Sequence, residues 1–458
     1  MKKPELLSPA GSLKNMRYAF AYGADAVYAG QPRYSLRVRN NEFNHENLKI
    51  GIDEAHALGK HFYVVSNIQP HNSKLKSFIR DLKPVIDMKP DALIMSDPGL
   101  IMMVRENFPD MTVHLSVQAN AVNWATVKFW ASQGIKRVIL SRELSLEEIE
   151  EIHDKCPDIE IEIFVHGALC MAYSGRCLLS GYISKRDANQ GTCTNTCRWS
   201  YKVHEGKEDE AGQIVKAHND QVQIEIHERI EPTLGKGATT DKVVLLEEPR
   251  RPGEYMPTYE DEHGTYIMNS KDLRAVQHVD RLTKMGIHSL KIEGRTKSFY
   301  YCARTAQVYR KAIDDAVAGK PFDKSLMNTL ENLAHRGYTE GFLRRHTHDS
   351  YQNYDNGYSI SDTQQFVGEC TGKRLNGLAE ITVKNKFNIS DSLELMTPQG
   401  NINFTLETME NQNGEVVESS KGVGYTVYIP VPKDLDLNYA LIMRNFTHGE
   451  DTRNPHKK

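Results

Sequence analysis

Short apolar runs of strand length alternate with longer stretches whose apolar residues recur every three or four positions, as far as Gly319. ELLSPAG (5–11) is predicted as a first strand, and SLKNMRYAFAYG (12–23) as a helix capped by Ser12 and stopped by Gly23. DAVYAG (25–30), HFYVVSN (61–67), DALIMSDPG (91–99), TVHLSVQAN (112–120), KRVILSREL (136–144) and IEIEIFVHG (159–167) are the next six strands. Between them fall helices from about Asn44 to Leu58, Ser73 to Met88, Gly99 to Asn107 and Trp124 to Gln133, and one opened by a Ser145–Glu148 capping box. The rhythm breaks for roughly a hundred residues after the seventh strand. It resumes with a helix from near Asp272 to Gly286, an eighth strand HSLKIEGR (288–295) and a long closing helix.

Eight strand–helix units in series predict parallel β-structure, and eight is the number that closes a (β/α)8 TIM-like barrel. An open doubly wound sheet is the competing architecture, because periodicity alone does not report closure. The domain layout follows from the break in pattern. Residues 1–200 are the first part of the barrel with a Cys-rich loop, 201–265 a polar insertion with one or two hairpins, and 266–345 the end of the barrel. A Tyr- and Gly-rich linker (346–365) leads to residues 366–450, where the period changes to two and six short strands predict a small antiparallel β-barrel or sandwich.

Composition changes this picture little. The 458 residues are 39% hydrophobic and 26% charged, with a net charge of −3, which argues against a strongly basic, non-specific nucleic-acid binder but leaves room for a local basic groove. No apolar run approaches the ~18–20 residues of a membrane span, and the N-terminus lacks a signal-peptide core, so a cytoplasmic protein without membrane attachment is expected.

Cysteine usage is more telling. Four of the seven cysteines, Cys170, Cys177, Cys193 and Cys197, fall in one Gly- and Ser-rich stretch after the seventh strand, where such barrels carry active sites. In a reducing compartment this clustering favours a metal over a disulfide. Structural zinc favours C-x2–4-C pairs, and only Cys193/Cys197 fits. The wider spacing suits a four-iron four-sulfur cluster, with zinc and unliganded thiols as the alternatives. There is no HExxH helix and no GxSxG elbow, so a conventional hydrolase finds no motif.

Polar residues at the predicted strand ends form a second constellation. Glu5, Ser8, Asn67, Asp97, Gln118, Arg142, Glu143, His166, Lys291, Glu293 and Arg295 would meet at one mouth if the barrel closes. Barrels also place polar groups there to hold loops, and His166 on an apolar strand reads equally as a satisfied core histidine. The loop YSLRVR (34–39), preceded by Arg33, sets Arg37 and Arg39 beside an aromatic, either as a clamp for phosphate or carboxylate or as a solvated loop.

The stretch EIFVHGALCMAYSGRCLLS (162–180) resembles the signature of the U-thirty-two peptidase family, with Glu162, Phe164, Gly167, Ala168, Cys170, Gly175, Cys177 and Ser180 in register. GADAVYAG, HLSVQAN, RDANQGTCTNTCRW, NSKDL and SLKIEGR agree, so the resemblance spans nearly the whole chain and is strongest to the long members of the tRNA-hydroxylation branch. The family name implies a collagenase-like peptidase, which is one alternative. Members acting in ubiquinone hydroxylation imply a 4Fe-4S cluster on cysteines of this region. The tRNA branch implies prephenate-dependent 5-hydroxylation of the wobble uridine, by the enzyme itself or an essential component of it; a non-catalytic cluster carrier is the other alternative. By resemblance Cys170, Cys177, Cys193 and Cys197 are the cluster ligands. Many members carry a cysteine directly after SKDL where this chain has Arg274, so the fourth ligand must come from the Cys193/Cys197 pair. The expected partners are tRNA, prephenate and the iron–sulfur assembly machinery. His166 and Glu293 are expected to handle protons, and Arg37, Arg39, Asn67, Gln118, Arg142, Lys291 and Arg295 to bind substrate.

Overall fold

The computed structural model describes residues 2–36, 41–169, 271–335, 337–344 and 364–446 in full, and between 170 and 270 the backbone of six short strands. Seven strands come first: β1 (Glu5–Pro9), β2 (Ala26–Gly30), β3 (His61–Ser66), β4 (Ala92–Met95), β5 (Val113–Leu115), β6 (Arg137–Ile139) and β7 (Glu160–Ala168). The helices α1 (Leu13–Ala21), α2 (His45–Ala57), α3 (Asn72–Asp87), α4 (Pro98–Asn107), α5 (Trp124–Ser132) and α6 (Leu146–Lys155) alternate with them. Side chains of Ser12, Asn44, Asp97 and Asn123 cap four of these helices, and Ser145 with Glu148 makes the expected capping box on α6.

The insertion contributes β8 (Lys202–Glu208), β9 (Ile214–Lys216), β10 (Val243–Glu247) and β11 (Tyr255–Thr258) in one antiparallel sheet, with a ribbon of β12 (Glu260–Asp261) and β13 (Gly264–Thr265). The chain then runs through β14 (Asp272–Arg274), α7 (Val279–Met285), β15 (Ser289–Ile292), α8 (Phe299–Val317), α9 (Ser325–Glu331) and β16 (Tyr338–Thr339).

Closure rests on β15. It pairs in parallel with β1 (Leu7 opposite Lys291) and with β7 (Phe164 opposite Lys291), completing a ring of eight parallel strands. The architecture is a TIM-like barrel, and the open sheet is excluded. Residues 272–274, read as the start of a helix, are instead a strand. At nine residues β7 outruns its neighbours, and β15 serves it only as far as His166. The exposed backbone groups beyond that point need partners, and β14 supplies them in antiparallel register, Leu273 opposite Gly167.

Strand alternation sorts the core into two shells. Leu6, Val27, Val64, Leu93, Val138, Ile161 and Leu290 face the helices, while Leu7, Tyr28, Tyr63, Val65, Ile94, Ile139 and Phe164 fill the barrel. Beyond the barrel, β17 (Gln364–Leu375), β18 (Leu378–Val383), β19 (Ser392–Thr397), β20 (Gly400–Thr405), β21 (Thr426–Ile429) and β22 (Leu441–Asn445) form one antiparallel sheet in the order β20-β19-β22-β17-β18-β21. This second domain docks on α1 and α8. Tyr22 donates its hydroxyl to the carbonyls of Met396 (3.1 Å) and Tyr439 (2.9 Å), and Tyr300 stacks on Phe366. Arg304, fully buried, grips Glu394 through both terminal nitrogens at 3.1 and 2.8 Å. No helix among the described residues is long and apolar enough to cross a membrane.

Candidate active site at the barrel mouth

Inward-facing charges rise through the barrel from its N-terminal face. Glu5 is at that face, lining a cavity of about 870 Å³ with Tyr63, His114 and Arg137. It therefore does not join the mouth, because it begins β1 and the mouth lies at the strand's other end. Arg137 binds Glu5 at 2.6 Å, Glu160 at 2.7 Å and Glu162 at 3.1 Å, and Tyr63 donates to Glu5 at 2.7 Å. Glu162, fully buried, accepts from Lys291 at 2.9 Å. Burial by itself would raise the Glu162 carboxyl, but Lys291 and Arg137 outweigh it and bring it to about 2. Burial likewise lowers the Lys291 ammonium, which Glu162 only partly restores.

Lys291 thus belongs to the floor of the mouth. Its Nζ stands 4.2 Å from the Tyr28 ring centre and 5.5 Å from that of Phe164. Above these two rings lie the guanidinium groups of the mouth: Arg142 is 4.0 Å over Phe164 and Arg295 is 5.7 Å over Tyr28. Arg142 is tethered by the Ala168 carbonyl, its Nε buried without a hydrogen-bond partner, and Arg295 donates to the Leu36 carbonyl at 2.9 Å. Asn67 ties the mouth loops together, accepting from Leu36 N–H at 3.1 Å and donating to Ser116 Oγ at 3.3 Å. Gln118 sits half-buried on the turn that follows β5, its carbonyl taken by Asn120. Asp97 is spent as the cap of α4, and Glu143 holds Ser141 in a short hydrogen bond.

The two expected proton carriers separate. Glu293 stays at the mouth, half-buried, close enough to Tyr28 and Tyr301 to raise both phenols. His166 does not. The pairing of β7 with β15 slips by one residue between Phe164 and His166, which reverses the side the strand presents. His166 therefore leaves the barrel interior for a cage of Tyr301, Tyr309 and Tyr338, with ring centres 5.5 to 5.8 Å away. Burial holds it at about 3, so it is neutral at physiological pH.

Arg37, Arg39, Cys170, Cys177, Cys193 and Cys197 lie outside the described residues. The described cysteines do not fit a metal centre. Cys156, Cys302 and Cys370 are buried and far apart in the fold, burial pushes the thiols of Cys302 and Cys370 up to about 12, and no cluster of three or more ligating side chains occurs among the described residues. The remaining four cysteines of the sequence are those of the Gly- and Ser-rich stretch. It begins directly after Leu169, the residue that follows β7 at the mouth end of the barrel. Tyr28 carries no sequence signal of a site role, and Glu162 and Phe164 stand out in the sequence only as signature positions. The signal for Glu162 was present in IEIEIFV: an acid on the same face as a buried phenylalanine must find a cation.

Residues 11–353 match the model of Peptidase family U32, and residues 362–444 match its C-terminal domain. The chain belongs to peptidase family U32. Within that family it is 77% identical over all 458 residues to tRNA hydroxylation protein P of Escherichia coli K12, with both chains covered completely. It is 74% identical to tRNA hydroxylation protein P of Haemophilus influenzae, covering 99% of this chain and 98% of the relative. A more distant relative, the 23S rRNA 5-hydroxycytidine C2501 synthase of Escherichia coli K12, is 26% identical over 89% of this chain and 54% of its own length.

Proposed function

We propose that this protein is a tRNA uridine hydroxylase, or an essential component of one, that installs the 5-hydroxyl on the wobble uridine in a prephenate-dependent reaction. The observation that carries this reading is the 77% identity, end to end, with a protein named for tRNA hydroxylation. The rRNA relative, named for 5-hydroxycytidine synthesis, supports pyrimidine C5 as the reacting position. Replacing C5–H by C5–OH with an oxygen at the level of water releases two electrons and two protons, so an electron acceptor outside this chain must take the two electrons. A 4Fe-4S cluster on Cys170, Cys177, Cys193 and Cys197, delivered by the iron–sulfur assembly machinery, would supply the electron-transfer chemistry. Arg142 and Arg295, with Arg37 and Arg39 of the preceding loop, supply positive charge for anionic groups, and Lys291 adds a fixed charge beneath the aromatic floor. Asn67 and Gln118 position the loops that enclose the base, and Glu293 is the carboxylate placed to take or return a proton. A tRNA substrate makes the cytoplasm the working compartment. The peptidase of the family name gains no support at the mouth: among the described residues no serine or cysteine there is hydrogen-bonded to a histidine.

Nucleoside analysis of tRNA from a deletion strain tests the reading, after any redundant oxygen-dependent hydroxylase has been removed. Loss of 5-hydroxyuridine derivatives is expected, and their persistence at wild-type level overturns it. Anaerobic purification with iron and sulfide analysis tests the cluster separately; colourless, zinc-loaded protein would remove it from the mechanism.

A further inference from the structure

Five lysines on the barrel helices hold a carboxylate four residues away: Lys49 with Asp53, Lys83 with Asp87, Lys155 with Glu151, Lys284 with Asp280 and Lys311 with Asp315, at 2.5 to 2.8 Å. The first half of α3 departs from that pattern. Four residues beyond Lys76 stands Arg80, and like charges at that spacing destabilise a helix. Among the described residues neither Lys74 nor Lys76 has an ion-pair partner. Burial and the neighbouring Arg33 both lower the Lys74 ammonium. Arg33 joins this group from the loop after β2, with its backbone in the left-handed region at φ +69°, which glycine or asparagine adopts at lower cost. Asp81 is the acid they share. It accepts from Arg33 Nη1 at 2.7 Å, from Arg80 Nε and Nη2 at 3.2 and 3.1 Å, and from the Tyr34 hydroxyl at 3.0 Å. One carboxylate therefore serves a group of four cations, and it fixes two exposed guanidinium groups whose other nitrogens face solvent. The same loop runs to the mouth: the Tyr34 carbonyl accepts from Ile68 N–H at 3.2 Å, and Leu36 N–H donates to Asn67. The cations thus line the rim of the mouth, between the β2 loop and the start of α3.

We propose that Arg33, Lys74, Lys76 and Arg80 form a phosphate-binding ridge on this rim, which grips the sugar–phosphate backbone of the RNA beside the target uridine. A helix face that only meets solvent gains nothing from uncompensated charge, whereas a bound polyanion offsets the mutual repulsion of four cations and releases its counterions. The two guanidinium groups, steadied by Asp81, present their remaining N–H groups to phosphate oxygens, and the two lysines add point charges along the helix. Contacts of this kind position the RNA without reading its sequence, so selection of the base is left to the mouth. The inference rests on the tRNA-hydroxylation reading for the identity of the polyanion.

The test measures binding of an anticodon stem–loop RNA to the full-length protein, purified anaerobically, by fluorescence anisotropy across a salt series. K76Q/R80Q removes two ridge charges, while K155Q/K284Q removes two paired surface charges from α6 and α7 and controls for net charge. If the ridge holds phosphates, K76Q/R80Q binds the RNA at least ~10-fold more weakly at low salt and the slope of log Kd against log salt drops by about 1–2, with the control within about twofold of wild type. An affinity and slope of K76Q/R80Q no different from those of the control overturn the ridge alone, since RNA binding by the wild type leaves the tRNA reading standing. A wild type that binds no RNA overturns the ridge and the tRNA reading together. Should loss of Arg80 disturb the fold, seen as a fall in the thermal midpoint, K74Q/K76Q leaves Asp81 both guanidinium partners and carries the same comparison.

Discussion

His166 borders the β7 bulge at Val165 and Glu162 lies three positions before it, and the two show how burial chooses a residue's chemistry. A histidine whose folded pKa is depressed binds fewer protons folded than unfolded between its two values, so stability rises with pH across that window. His166 and His114 are both held at about 3 by burial. Their contribution is complete above the ordinary value of ~6.5 and declines as pH falls toward 3, at about 1.4 kcal/mol per pH unit for each. Glu162, at about 2, adds a loss of the same sign that begins only below its ordinary 4.5. Urea midpoints of wild type should therefore fall between pH 6.5 and 4.5, and H166F, whose ring suits the tyrosine cage, should show a shallower decline. The Glu162–Lys291 pair makes a second expectation. K291M leaves a buried carboxylate with Arg137 as its remaining cation and should cost about 3–5 kcal/mol, whereas K291M/E162L should recover part of that loss in the same urea titration. At this scale the sequence was half legible. KIEGR announced charges at a buried strand end, but their direction was not readable, because a one-residue slip in pairing decides whether a side chain points inward or outward.

At the scale of elements, almost every strand and helix was readable from periodicity and caps, since each unit carries its own signals: Ser12, Asn44, Asp97 and Ser145 at helix starts, Gly23 and Gly286 at stops. Two short strands escaped this reading, β14 and the two-residue β16 that pairs with it. NSKDLRAVQHVDRLTKMG has the spacing of one helix, yet the overhanging end of β7 claims Asp272–Arg274 as a strand before α7 can begin. Local pattern lost to a tertiary demand for hydrogen bonds. The same overhang explains Gly167, which sits at φ +107°, where a Cβ would meet the Glu293 carbonyl oxygen at 2.5 Å and its Cβ at 2.9 Å. G167A should lower stability by more than about 2 kcal/mol, read as a fall in the thermal midpoint, because both the backbone conformation and the neighbouring backbone oppose it.

For the whole molecule, the order of units was visible in the sequence, but closure and the seat of the C-terminal domain were not, since both depend on contacts between distant segments. The domain sits on α1 and α8, the helices of the first and last barrel units, and its anchor is Arg304 with Glu394 and Gln364. R304A strands the Glu394 carboxylate in that interface and should split thermal unfolding into two calorimetric transitions, with the barrel melting apart from the C-terminal sheet; R304M/E394L should restore a single one.

The stave that joins β1 to β7 is synthesised late. While the chain is being made, the first seven strands hold two unpaired edges, and the second stays open from residue 168 until residue 292 has emerged. At ~5–20 residues per second that interval lasts on the order of 6–25 s, and free parallel edges of this kind invite intermolecular pairing. The insertion that separates the two halves therefore lengthens the interval before the ring can shut, and shortening it is expected to raise the soluble fraction of newly made protein.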